Sequence, residues 1–160
     1  PTGACQLLPG LRAPDAFQPI VNGHFQVDRD LGEASFLGLI GGTAEWLFVR
    51  DDVVSTTVSA AAELAEQSEE AIAQSLWKDI QKALDLGGMD MKAYRIIKEK
   101  RATFEQTPEQ VGRRPGAMTG YGNLVLAGDW IDTGLPATIE GTIRSGVRAA
   151  GLLSMHVKNP

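Results

Sequence analysis

Gly128 and Asp129 place a flexible backbone position beside a carboxylate, and Thr138, Ile139 and Glu140 follow where a helix should begin. A helix mouth offers unpaired N–H groups and a partial charge of about +0.5. It suits an anionic or electron-rich group such as a pyrophosphate or a polarised carbonyl. Gly128 lets the main chain come close to such a group, and the Asp129 carboxylate can accept hydrogen bonds from sugar-like hydroxyls. The plain alternative is a surface loop followed by an ordinary packing helix.

Three elements must position these residues. Leu124 to Ala127 is a short apolar run with the length of a buried strand. The loop WIDTGLP follows, and Pro136 sits where a first helical turn would start. Ile139, Ile143, Val147, Ala150 and Leu153 then recur at helical spacing. Gly141, Ser145 and Ala149 form a second stripe of small residues, which lets a helix lie close to a neighbour.

The stretch LAGDW-x-D-TGLPATIEG-x-x-RSG-x-RAA resembles the C-terminal flavin motif of the FAD-dependent amine oxidase and phytoene desaturase superfamily. With TGLPATIEG in the loop, it is most similar to the squalene-associated FAD-dependent desaturases, or hydroxysqualene dehydroxylases. The resemblance implies that Gly128 and Asp129 meet the ribityl and phosphate region of FAD. It also implies that Thr138, Ile139 and Glu140 face the flavin ring and pyrophosphate. Asp132, in the loop near the expected flavin, is the weak candidate for a catalytic acid; its ordinary role would be loop capping or solvation. PIVNGHF and GGTAEWLFVRDDVVSTTVSAA resemble the substrate-domain sheet of the same family, which helps line a long apolar cavity for an isoprenoid chain.

Composition bounds the alternatives. The 160 residues are 43% hydrophobic and 22% charged, ordinary for a globular protein. A net charge of −5 gives no basic face for nucleic acid. Cys5 is the only cysteine, so no internal disulfide forms and a reducing cytoplasm fits. There is neither a bilayer-length apolar run nor a signal peptide; peripheral membrane contact through a surface patch stays open. His24 has no second ligand at metal spacing, and no metal is assigned. The G-x-G-x-x-G unit that cradles ADP in such enzymes is missing. The nearest stretch, FLGLIGGTAEWLF, has the wrong glycine spacing and reads as a strand–turn–strand corner. The chain therefore reads as the C-terminal part of a longer enzyme, whose N-terminal FAD-binding segment is a missing partner.

Along the chain, residues 1–15 read as a loop. Strands are expected from Phe17 to Val27, Phe36 to Ile40, Thr43 to Val49 and Val53 to Ser59, an antiparallel meander. Trp46 and Phe48 share one face of it. Asn22–Gly23 suits a tight turn, whereas the family resemblance implies a continuous or bulged strand. Asp28 to Ser35 is a loop, and Ala60 to Gln67 a short helix. Ser68 caps a helix with Glu69 and Glu70 in its first turn, Ile72, Leu76, Ile80 and Leu84 on its apolar stripe, and Gly87–Gly88 as its stop. Ala93 to Phe104 is a further strand, and Thr107–Pro108 starts a short helix. Arg113–Arg114 reads as a solvated loop, with phosphate contact as the sharper alternative.

The fold expected is an α/β (α+β) fragment. An antiparallel substrate-domain sheet with covering helices fills residues 1–105. The C-terminal strand–loop–helix of a Rossmann-like FAD domain fills 106–160. The resemblance implies reduction of hydroxysqualene to squalene in hopanoid biosynthesis, by ionisation of an allylic-type alcohol and hydride delivery from reduced FAD. The alternatives are desaturation of a carotenoid precursor and a non-catalytic module that keeps half a flavin fold.

Overall fold

The computed structural model describes residues 1–33 and 35–158, with side chains described through residue 155. Ala34, in the loop expected at 28–35, lies outside the described residues. Two compact units are present: Gln18–Ala102, and Pro1–Phe17 together with Thr103–Pro160. The first 17 residues thus cluster with the C-terminal segment.

The Gln18–Ala102 unit is a five-stranded sheet. Its strands are β1 (Phe17–Gln26), β2 (Ser35–Gly38), β3 (Trp46–Arg50), β4 (Val53–Val58) and β5 (Ala93–Phe104), ordered β2-β3-β4-β1-β5. The pairs β2–β3, β3–β4 and β1–β4 are antiparallel. Asp51 makes the turn from β3 to β4 at φ 53°, a left-handed conformation that Asp tolerates. Leu47, Val49, Val54, Thr56, Val58, Val21 and Phe25 alternate inward along their strands. Side chains on a strand point to opposite faces in turn.

Helix α2 (Ala62–Ala65) is short, and α3 (Glu69–Ala83) covers the inner face of the sheet. Ser68 caps α3, its Oγ accepting from the Ala71 N–H at 3.2 Å. Ile72, Leu76 and Ile80 lie one turn apart and are fully buried, with Ala73 and Trp77 beside them. The Asp79 carboxylate accepts from the N–H groups of Thr43 and Ala44 at 2.7 and 2.8 Å, which fixes the corner before β3 to the helix.

Gly23 is part of a continuous strand and not a turn. A Cβ there would lie 2.7 Å from the Phe25 ring, 2.9 Å from Thr56 Oγ1 and 3.0 Å from Leu76 Cδ1. The glycine is what lets α3 settle on the sheet. Helix α3 also stops earlier than Gly87–Gly88. Leu84 is its last half-helical residue, Asp85 turns left-handed at φ 50°, and the Leu86 N–H returns to the Gln81 carbonyl at 3.0 Å. That closing bond caps the helix and buries Leu86.

The second unit holds α1 (Thr2–Leu7), α4 (Pro108–Gly112) and α5 (Ile139–Lys158). Residues 1–15 are therefore not all loop. Leu8 and Leu11, just after α1, pack on a small core of Ala117, Leu126 and Ile131. The buried amide of Gln110 joins this segment to α4. Its Oε1 accepts from the N–H groups of Asp15 and Ala16, and its Nε2 donates to Asp15 Oδ1.

The strand expected at Leu124 to Ala127 is reduced to one bridge, Met118 to Val125. Leu126 is buried and donates its N–H to the Ala117 carbonyl, while Leu124 is exposed. A strand is stable as a member of a sheet, and the described residues supply no further strand for this run to pair with.

Candidate functional site

Pro136 lies three residues before α5, and Thr138 is the helix cap. Its Oγ1 accepts from the Gly141 N–H at 3.1 Å, and its carbonyl takes the Thr142 N–H at 3.0 Å. Ile139 and Glu140 are then the first two helical residues, whose N–H groups have no intrahelical acceptor. Among the described residues none accepts from them. The mouth is open: Thr138 and Glu140 are exposed, and Ile139 is 81% exposed. The Glu140 side chain is engaged by Arg144 at 2.6 Å along the helix surface.

At the other end of the loop, Gly128 has φ 135°, a region that essentially only glycine occupies. A Cβ there would sit 2.6 Å from Trp130 Nε1. The Gly128 N–H donates to Ser145 Oγ at 2.7 Å, and the Ser145 hydroxyl donates to the Thr142 carbonyl at 3.1 Å. Ser145 is 2% exposed. This relay pins the Gly128–Asp129 turn to the second turn of α5. The Asp129 carboxylate has no hydrogen-bond partner among the described residues and remains free to accept from a ligand.

The face α5 turns inward is the small-residue stripe: Gly141, Ser145 and Ala149 are buried. Ile139, Ile143, Val147 and Leu153 point outward, between 37% and 81% exposed. The glycine of that stripe matters for the loop. A Cβ on Gly141 would lie 3.3 Å from the Pro136 carbonyl oxygen and 3.4 Å from Thr133 Oγ1. The loop is thus folded against the first turn of the helix.

One guanidinium holds both ends of this loop. Arg114 donates from Nη1 to the Leu135 carbonyl at 2.8 Å, and from Nη2 to the Asp129 carbonyl at 2.9 Å and Thr133 Oγ1 at 3.0 Å. Its guanidinium carbon lies 5.2 Å from the centroid of the Phe104 ring. The sequence reads Arg113–Arg114 as a solvated loop, and here the structure differs. Arg113 pairs with Asp15 at 2.5 Å, and Arg114 is the clamp of the site. No spacing in the sequence links Arg114 to carbonyls up to 21 residues away. The Ser145 hydroxyl had a weak signal, as the single polar group in a small-residue stripe.

Asp132 Oδ1 accepts from the Gly134 N–H at 3.2 Å, and the Asp132 N–H donates to the Pro115 carbonyl at 2.8 Å. Its carboxylate shapes the turn at Gly134, where φ is 71°. A cavity of about 60 Å³ lies beside it, lined by Asp132, Thr133, Arg144, Ser145 and Arg148. Asp15 is held below the ordinary carboxylate range by the Gln110 amide first; desolvation opposes this, and the Arg113 guanidinium adds to the lowering.

The Gln18–Ala102 unit carries a second feature of interest. The outer face of its sheet exposes Phe36 at 68%, Phe48 at 47% and Trp46 at 44%. A groove of about 350 Å³ is lined by these three rings and Thr57, and another of about 700 Å³ runs from Phe36 and Phe48 past the charged turn of Arg50, Asp51 and Asp52 to Val53 and Ser55. Among the described residues no cluster of His, Cys, Asp and Glu could hold a metal. No described helix is long and apolar enough to cross a membrane.

The chain is 46% identical over 152 residues to a hydroxysqualene dehydroxylase of Sinorhizobium fredii. It is 44% identical to proteins of the same name from Zymomonas mobilis and Rhodopseudomonas palustris. These alignments cover 94–96% of the chain, which spans about 36% of the length of each relative. A crystal structure from Exiguobacterium sp. 255-15, described by its authors as an unproven protoporphyrinogen oxidase, superposes with a TM-score of 0.62 at 15% identity, over 99% of this chain and 40% of that one. That likeness shows a shared fold. Residues 2–154 match the family described as flavin containing amine oxidoreductase, and the chain belongs to that family.

Proposed function

We propose that this chain serves a FAD-dependent reductive dehydroxylation, turning hydroxysqualene into squalene for hopanoid biosynthesis. The observation that carries the reading is the 44–46% identity, along nearly the whole chain, to three proteins named hydroxysqualene dehydroxylase. The local geometry supports it. The donor set at the α5 mouth suits an electron-rich ring edge or pyrophosphate, and a free Asp129 carboxylate suits hydroxyls. We assign Gly128, Asp129, Thr138, Ile139 and Glu140 to FAD on that basis, the first by close backbone approach and Thr138 as the cap that keeps the mouth formed. Asp132 is occupied in shaping the loop, so its contribution is to position rather than to donate a proton.

When bound, FAD supplies the reducing equivalents. The chain's own residues hold the cofactor's edge and offer apolar surface to a hydrocarbon substrate. The exposed rings of Phe36, Trp46 and Phe48 suit the flank of an isoprenoid chain, which has little else to recognise. The ADP cradle falls to polypeptide beyond these 160 residues, in keeping with the 36% coverage of the relatives. The outward aliphatic row of α5 is a surface that such polypeptide would cover.

The test is an assay of the full-length protein with chemically reduced FAD, on hydroxysqualene and on phytoene in separate reactions. Squalene formed from hydroxysqualene at many turnovers supports the reading. Turnover of phytoene alone would move the chain to carotenoid desaturation, and turnover of neither would leave a binding module.

A further inference from the structure

The outer face of the sheet is not uniformly apolar. Cross-strand pairing sets Phe36 opposite Phe48, Phe48 opposite Ser55, and Ser55 opposite His24. The neighbouring row runs Trp46, Thr57, Asn22. Residues directly opposite share a face, so two rows pass from aromatic rings to a polar strip. The strip is internally ordered. His24 Nδ1 and Ser55 Oγ are 2.9 Å apart, and Thr57 Oγ1 donates to Asn22 Oδ1 at 2.8 Å. Each bond engages one end of its partner. His24 keeps Nε2, and Asn22 keeps its side-chain NH₂, without a hydrogen-bond partner among the described residues. The sheet therefore fixes two polar groups one strand beyond Ser55 and Thr57, the residues that line the two grooves.

Resting on the activity proposed above, we infer that His24 and Asn22 form the station that takes the substrate's hydroxyl, and that this station lets the enzyme prefer the alcohol to its product. The two compounds share nearly all their hydrocarbon surface and differ by one hydroxyl. Aromatic walls alone hold both about equally, and product then competes with substrate. A site built to hydrogen-bond a hydroxyl disfavours the analogue lacking it, because the site's polar groups are left unpaired. Ser55 orients the imidazole by holding Nδ1, which leaves Nε2 for the ligand. His24 and Asn22 are specificity determinants here, and Ser55 and Thr57 are positioning residues.

The experiment compares wild-type full-length holoenzyme with His24→Phe, His24→Gln and Asn22→Leu. Binding of hydroxysqualene and of squalene is measured separately in detergent micelles, with flavin absorbance and melting temperature as checks on folding. The wild type is expected to hold the alcohol tens of times more tightly than the hydrocarbon. His24→Phe should bring the two within about threefold by weakening the alcohol alone, and His24→Gln should restore part of the preference. Should His24→Phe fail to fold, Asn22→Leu and His24→Gln read the same ratio. A folded His24→Phe, or in its place Asn22→Leu, that keeps the wild-type preference overturns the station while leaving the activity intact. A wild-type enzyme that does not convert hydroxysqualene overturns the activity itself.

Discussion

Arg114 offers the sharpest test of how the loop proposed to face FAD is held. Its guanidinium makes three hydrogen bonds to the loop, at 2.8, 2.9 and 3.0 Å, and stacks over Phe104. Hydrogen bonds from a charged donor contribute roughly 1.5–3 kcal/mol each, and a cation over a ring about 0.5–1. The gross sum overstates the loss, because Arg114 is half-buried and water can replace part of each bond. A net loss of about 2–4 kcal/mol is expected for Arg114→Met, which keeps the packing of the stem. Against a domain stability of about 5–15 kcal/mol, that is large.

The consequence reaches function because the three acceptors belong to Asp129, Thr133 and Leu135, spanning the loop between the glycine hinge and the helix mouth. If bound FAD must supply the ordering that Arg114 supplied, its affinity falls tenfold for each 1.4 kcal/mol transferred. We expect at least a tenfold weaker FAD dissociation constant in full-length Arg114→Met, read by flavin fluorescence, together with a lower denaturant midpoint. Arg114→Lys should rescue little, since a single ammonium cannot span three acceptors in a fixed fork. The reasoning fails if Arg114→Met unfolds at the wild-type midpoint and binds FAD within threefold of wild type.

Three further outcomes are expected. Gly128→Ala should destabilise the protein by about 2–4 kcal/mol in urea titration, because a side chain at φ 135° is strained and its Cβ meets Trp130; a stable variant with normal FAD content would show that the turn tolerates a side chain. Asp15 has a carboxyl held below its unfolded value, so its contribution to stability is full above about pH 4 and disappears as pH falls through the folded-state value; Asp15→Asn should flatten that acid limb in melts between pH 2 and 5, and an unchanged limb would assign it to other carboxylates. The 160-residue chain alone should retain FAD weakly or not at all after desalting, and a stoichiometric yellow preparation would contradict this.

What the sequence made legible was whatever periodicity and local chemistry decide. The β-branched run Val53–Val58 became a strand with strict alternation, and Ser68 became the cap of α3 with the expected stripe beneath it. The Thr138–Glu140 mouth formed where the loop chemistry placed it, with Pro136 three residues outside. At Asn22–Gly23 the pair alone suits a tight turn, the family resemblance implies the continuous strand that is observed, and Leu76 above it is the reason for the glycine. Other elements differ where a distant contact decides. Asp85 ended α3 ahead of two glycines because burying Leu86 favoured the earlier turn. Arg114 looked solvated because its acceptors are backbone carbonyls, which carry no side-chain signature.

The two outward apolar surfaces differ in a way that sorts their occupants. On α5 the row Ile139, Ile143, Val147 and Leu153 is purely aliphatic, while the buried side of the same helix is built from Gly141, Ser145 and Ala149. Aliphatic side chains at helical spacing, with no polar group among them, match what another polypeptide's core requires. The sheet face instead carries large rings beside polar groups already oriented by cross-strand bonds. Such polar pairs would be poorly used under packed hydrophobic side chains, where every free donor must find an acceptor. They suit a ligand that is mostly hydrocarbon and brings one hydroxyl. On the activity proposed above, the aliphatic row is accordingly the better surface for further polypeptide, and the aromatic one for the substrate.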